Sequence, residues 1–161
     1  MIRRLFGILS VSFVIGWLAV CTVAAQPKKD EPFPPQFKYA AGTEDLPDGC
    51  DGNLEVNPEV LTFRCWSGKV DIPCSAIFAM EYRSEVSKRV RKMKLKWKIR
   101  PVADSAILKT RKNRFFTVVY RAEETSRVLV LRVEPRAMRP YLAELDLRSD
   151  KRVDVESYEE N

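Results

Sequence analysis

The chain has 161 residues, 45% of them hydrophobic, with a formal charge of +6, and that length allows one domain with a real core plus appendages. It contains no histidine and four cysteines, which removes Ser–His–Asp and Cys–His nucleophile systems and most mixed-ligand zinc or haem sites. What remains for acid–base work is scattered single carboxylates such as Glu55, Asp71 and Glu81, so the expectation is a non-enzymatic protein without metal or other cofactor.

The first element is an export signal. Arg3 and Arg4 form a basic start, residues 5–21 are mostly apolar, and Val23-Ala24-Ala25 offers small residues for cleavage before Gln26. Export to a periplasmic or extracellular space follows from residues 1–25. The alternative is an uncleaved inner-membrane anchor through residues 5–25, since about 20 apolar residues span a bilayer. Leu18-Ala19-Val20-Cys21 approaches a lipoprotein box, but Val20 is bulky for the position before the cysteine. Next comes a spacer, residues 26–38, with Pro27, Pro32, Pro34 and Pro35. Proline at that density favours extended, semi-rigid chain. Phe33, Phe37 and Tyr39 could instead pack an arm along the domain.

The domain itself spans residues 39–157, ahead of an acidic tail at 158–161. Residues 53–74, NLEVNPEVLTFRCWSGKVDIPC, predict three short strands joined at Asn57-Pro58-Glu59 and Trp66-Ser67-Gly68. Leu54 and Val56 share one face, as do Leu61 and Phe63, and Val70 and Ile72. Antiparallel pairing that sets Val56 opposite Val60 brings Cys50 or Asp51 beside Cys65. A disulfide needs Cα atoms about 5.5–6 Å apart, so the expected bridge is Cys50–Cys65, with Cys74 buried and free. A bridge in an exported chain is chemically consistent. Residues 75–83 predict a fourth strand through Ile77, Phe78 and Met80.

The composition then changes. From Arg83 to Arg114 there are 13 Lys or Arg against Glu85 and Asp104, whereas the rest of the chain after residue 25 has 13 basic and 20 acidic residues. Residues 84–91 fit a short helix or turn. In residues 92–100, KMKLKWKIR, the apolar Met93, Leu95, Trp97 and Ile99 alternate with Lys92, Lys94, Lys96, Lys98 and Arg100. Strict alternation predicts a half-buried strand with one cationic face. Pro101 ends it, and residues 102–113 form a loop with room for a short helical piece. Residues 114–120 and 127–133 predict a central hairpin around the polar turn Glu123-Glu124-Thr125-Ser126. Ala137, Met138, Tyr141, Leu142 and Leu145 recur at helical spacing, with Pro140 tolerable in a first turn. Residues 152–156 add a last edge strand.

About seven strands in meander order followed by one amphipathic helix resemble a pleckstrin-homology-like (PH-like), partly open antiparallel barrel. Tyr39 to Thr43 (YAAGT), Leu61-x-Phe63, Val70-x-Ile72-Pro73, Ile77 and Glu81-Tyr82 resemble small bacterial PH-like or GRAM-like domains of unknown function. Arg139-Pro140 with Leu142 and Leu145, then Asp150-Lys151-Arg152-Val153, resemble the closing helix and tail of that group; the likeness covers residues 39–156. The chain departs from phosphoinositide-binding PH domains in its first hairpin, where Asn57, Pro58 and Glu59 replace basic residues, so inositol-phosphate binding does not carry over. A membrane-seeking insert after the fourth strand does not carry over either, because that region here is cationic.

The cationic face of Lys92, Lys94, Lys96, Lys98 and Arg100 is the expected binding site, for anionic lipid or another envelope polyanion. The competing explanation is an edge strand kept from self-pairing by its lysines. A protein partner at a sheet edge or beside the terminal helix is the other reading. Nucleic acid is disfavoured, because Trp97 faces away from the lysines and stacking needs both on one surface.

Overall fold

The computed structural model describes residues 36–101, 114–149 and 151–156. The export signal at 1–25, the spacer up to residue 35, the loop at 102–113 and the tail at 158–161 lie outside the described residues.

The described chain is mainly β. Four strands come first: β1 (Phe37–Gly42), β2 (Asp51–Val56), β3 (Val60–Cys65) and β4 (Gly68–Pro73). A single 3₁₀ turn, Cys74–Ala76, leads into β5 (Ile77–Arg83) and then a one-turn helix α1 (Lys88–Arg91). The long hairpin of β6 (Arg114–Ala122) and β7 (Thr125–Val133) follows, then α2 (Pro135–Arg148) and β8 (Val153–Val155). One eight-stranded sheet runs in the order β4-β3-β2-β1-β7-β6-β5-β8. The expectation of a partly open antiparallel barrel of about seven strands with one C-terminal helix stands in its β-rich make-up and its helix; it is corrected in its strand count, which is eight, and in its pairing, which is mixed because β8 runs parallel to β5. The sheet is not closed, since β4 and β8 end it without pairing to each other.

The meander forms because its apolar positions line up across strands. Val56, Leu61 and Ile72 make one cross-strand row, and Leu54, Phe63 and Val70 the next. Such rows are the unit of sheet stabilisation. The register differs by one from the expected pairing: Val56 lies opposite Leu61, because Val60 closes the turn by accepting from the Asn57 amide. Gly52 is then the residue opposite Cys65. A Cβ at Gly52 would lie within 3 Å of the Arg64 backbone and the Cys65 side chain, so the absent side chain leaves Cys65 room to lean across to Cys50. The Cys50–Cys65 disulfide spans Cα atoms 5.9 Å apart, and Cys74 is free and buried.

One core lies inside the curve of the sheet, with Phe37, Tyr39, Phe63, Phe116, Leu129 and Leu131 fully buried. β1 is central to it, and begins at Phe37 rather than at Tyr39. Helix α2 covers this core with Met138 and Leu145, while the Phe37 and Tyr141 rings meet edge to face at 4.9 Å. Pro135 opens the helix, where its missing N–H costs nothing. Pro140 sits in the second turn, not the first, so the helix gives up one backbone bond there.

The two faces of the sheet are treated differently. Outside β2–β4 the side chains are polar: Thr62, itself buried, donates to exposed Asp71 at 2.8 Å, and Lys69 pairs with Asp71 at 2.6 Å. Outside β1, β6 and β7 lies a second apolar layer of Ala41, Val119, Val128 and Val130. That explains why the runs 118–120 and 128–131 are apolar on both faces, and it demands a cover.

Candidate functional site

The cover is the basic segment. Ser87 caps α1 by accepting from the Val90 amide, and Val86 and Val90 drop onto the outer apolar layer. Residues 92–100 then cross the face with Met93, Leu95, Trp97 and Ile99 half-buried against it. Lys92, Lys94, Lys96, Lys98 and Arg100 are all exposed. The alternation is therefore present side chain by side chain, but the expected strand is not. The segment has a single bridge, Ile99 to Gly42, and the Leu95 amide folds back on the Met93 carbonyl at 2.8 Å, closing a three-residue turn. No strand edge is free beneath it, because β1 already pairs with β2 and β7. A strap laid across a sheet buries alternate residues just as a strand within one does, so periodicity alone cannot separate them.

The strap is pinned at its far end. Gly42 donates to Ile99 O at 3.0 Å and accepts from Lys98 and Ile99 amides at 2.9 and 3.1 Å. Gly42 has φ +154°, and a Cβ there would stand 2.5 Å from Val128 O and 2.7 Å from Tyr39 Oη, so only glycine fits this junction. Next to it is a buried polar knot. Glu44 accepts from the Tyr120 hydroxyl at 2.5 Å and from Thr43 at 3.1 Å, and Arg127 approaches at 3.6 Å. Burial first, then the Glu44 hydrogen bond, pushes the Tyr120 phenol well above its ordinary 10.0. Burial likewise raises Tyr39. These groups hold the strap's anchor and satisfy one another.

Charge on the strap is poorly matched. Among the described residues, one of its five cations has a carboxylate within 4 Å: Lys98 to Asp45, at 3.9 Å with both ends exposed. Some cations elsewhere are countered, Lys38 by Asp51 at 3.0 Å and Arg83 by Asp154 at 2.5 Å, while exposed Arg121, Arg136, Arg139, Lys151 and Arg152 have no carboxylate within 4 Å among the described residues but are scattered singly or in pairs. Lys88 and Arg89 of α1, also exposed, extend the patch; the basic composition of residues 83–114 contained them, but they lack the alternation that singled out the other five. Asp45 as the partner of Lys98 had no sequence signal, because 53 residues separate them. Glu55 and Asp71, on β2 and β4, are exposed surface carboxylates, while Glu81 is buried on β5 beside Arg83. Burial raises the Cys74 thiol, which sits 3.6 Å from Asn57 O. No group of three His, Cys, Asp or Glu that could hold a metal occurs among the described residues.

Compared with models of known protein families and with curated proteins, the chain matches none.

Proposed function

We propose that the protein is an exported, non-enzymatic binding domain whose strap of Lys92, Lys94, Lys96, Lys98 and Arg100 contacts an anionic component of the cell envelope, with lipid headgroups the natural candidate. The observation that carries this reading is a row of exposed cations with one ion pair among the described residues, held out by alternate apolar anchors. Like charges so placed repel, and a polyanionic partner relieves that cost. The competing account, lysines guarding a sheet edge, loses its premise here: the sheet's edges are β4 and β8, and the strap is neither. Half-burial of Trp97 beneath the lysines also argues against a base-stacking surface for nucleic acid.

Export is supported by the Cys50–Cys65 bridge, which suits an oxidising compartment. Among the described residues no helix is long and apolar enough to cross a membrane. A PH-like or GRAM-like ancestry is supported by a meander, a long hairpin and a C-terminal helix over one core, although fold does not carry function. A protein-interaction module is the second reading, favoured by the unpaired edge of β4 and by Leu147, 86% exposed on α2.

Each basic residue near an anionic membrane is worth about 1 kcal/mol, so the triple variant Lys94→Glu, Lys96→Glu, Lys98→Glu removes about 3 kcal/mol, roughly a hundredfold in affinity, before counting new repulsion. The readout is co-sedimentation with anionic vesicles at low salt. Undiminished binding by the variant contradicts the proposal, and a partner retained at high salt favours the protein-interaction reading.

A further inference from the structure

Among the described residues, Trp66 is the largest hydrophobic side chain left in water, 79% exposed. It stands at the tip of the turn between β3 and β4, and it belongs to neither apolar cluster of the described residues. The tip is nonetheless rigidly held. Cys65 before it is bonded to Cys50, and Gly68 after it lies against Leu46, close enough that a Cβ there would sit 3.1 Å from Leu46 Cδ2. An indole kept in water on a braced turn contributes nothing to the core.

The same short loop, residues 43–50, connects this tip to the end of the strap. Leu46 meets the Gly68 side of the turn, and its neighbour Asp45 reaches Lys98 at 3.9 Å. Gly42, just before the loop, carries the three backbone bonds to Lys98 and Ile99. Trp66 and the Lys98 end of the strap therefore lie on either side of one loop, along one rim of the sheet. The rim also holds carboxylates: Asp45 and Asp48 in the loop, and Glu123 and Glu124 in the β6–β7 turn, which Arg127 and Glu44 tie to the same end. Its attraction for anions thus comes from the strap, and Trp66 supplies an apolar contact that those carboxylates do not oppose.

We infer that this rim docks on an anionic lipid bilayer, with the Trp66 indole in the headgroup region and the Lys98 end of the strap on the lipid phosphates. The inference rests on the reading of the strap as an anion-contacting face and narrows its partner from polyanions in general to a bilayer. Indole, with an apolar body and one N–H donor, belongs at a membrane–water interface. A soluble polyanion satisfies lysines but offers an exposed tryptophan nothing. Binding then has two parts, a cationic part that salt screens and an indole part that it does not.

The test uses the full chain with Trp17→Phe and Trp97→Phe, leaving Trp66 the single indole of the three. With mixed phosphatidylglycerol–phosphatidylcholine vesicles, Trp66 emission shifts to the blue and is quenched by lipids brominated near the glycerol. Pure phosphatidylcholine gives neither effect, and Trp66→Ala lowers the salt-resistant bound fraction several-fold. Asp45→Asn strengthens binding by removing the carboxylate beside Lys98. If Trp66 stays open to aqueous acrylamide while reversal of Lys94, Lys96 and Lys98 abolishes vesicle binding, the bilayer docking of Trp66 is overturned and the cationic strap stands. If that reversal changes neither binding nor Trp66 emission, both are overturned. A blue shift of equal size with inorganic polyphosphate also overturns the bilayer assignment.

Discussion

At the scale of single residues, the buried carboxylate of Glu44 sits beside the strap's anchor at Gly42. Glu44 is buried yet satisfied, because Tyr120 and Thr43 donate to the same carboxylate oxygen and Arg127 faces the other. Tyr120→Phe keeps the ring and removes one donor to a buried carboxylate, a loss of about 1–3 kcal/mol in unfolding free energy that a denaturant titration reads. The phenol has a second signature. Its folded pKa lies above the ordinary 10.0, so the native state holds the proton more tightly than the unfolded chain does. That stabilisation is complete below pH 10 and declines as pH rises towards the folded value. Alkaline unfolding of the wild type should therefore be steeper than that of Tyr120→Phe, and equal slopes would show that the phenol is not the responsible group. None of this was legible in the sequence. Tyr39, Glu44, Tyr120 and Arg127 are far apart in the chain, and only the β1–β7 and β6–β7 pairings bring them together.

At the scale of elements, the short strand β8 is held by charge more than by length. Its three residues pair with Met80, Glu81 and Tyr82, and Arg83 grips Asp154. The Glu156 carboxylate accepts from the Ser84 amide and hydroxyl, both at 2.8 Å. The backbone bond from Ser84 is the first cause that lowers the Glu156 pKa below its ordinary 4.5. A depressed carboxylate stabilises the fold above its unfolded pKa and loses that contribution as pH falls through the folded value. The β8–β5 pairing should thus loosen selectively as pH falls below the ordinary carboxylate range. Hydrogen exchange at the Glu156 amide, which donates to Tyr82 O, should accelerate there before the β6–β7 amides do; exchange rising uniformly across the sheet would contradict a local clasp. Elements with strong two-sided or one-sided patterns, β3, β4, β6, β7 and α2, were plain from apolar spacing. The strap was legible in its burial but not in its pairing, for an alternating pattern records which side chains are covered and not what covers them.

At the scale of the molecule, an open sheet carries a helix over one face and a basic strap over the other, and the strap with α1 gathers seven exposed cations of which, among the described residues, one has a carboxylate within 4 Å. The compartment reading and the fold meet at the Cys50–Cys65 bridge, which closes a loop of 15 residues and is worth about 3 kcal/mol if it acts mainly on the unfolded chain. Reduction, or Cys50→Ser with Cys65→Ser, should lower unfolding stability by about that amount, while Cys74→Ser leaves the bridge intact. The parallel pairing of β8 with β5 was not legible, because three residues after a helix carry no local pattern that sets strand direction. The central claim is that the strap's lysines are the contact surface. Amine acetylation of the protein, with and without phosphatidylglycerol vesicles and quantified by mass spectrometry, tests it most directly. The account predicts protection of Lys92, Lys94, Lys96 and Lys98 relative to Lys38, which already pairs with Asp51 and lies at the start of β1, the end of that strand away from Gly42. Equal labelling of the strap in the two conditions, or protection centred on Lys38, would contradict it.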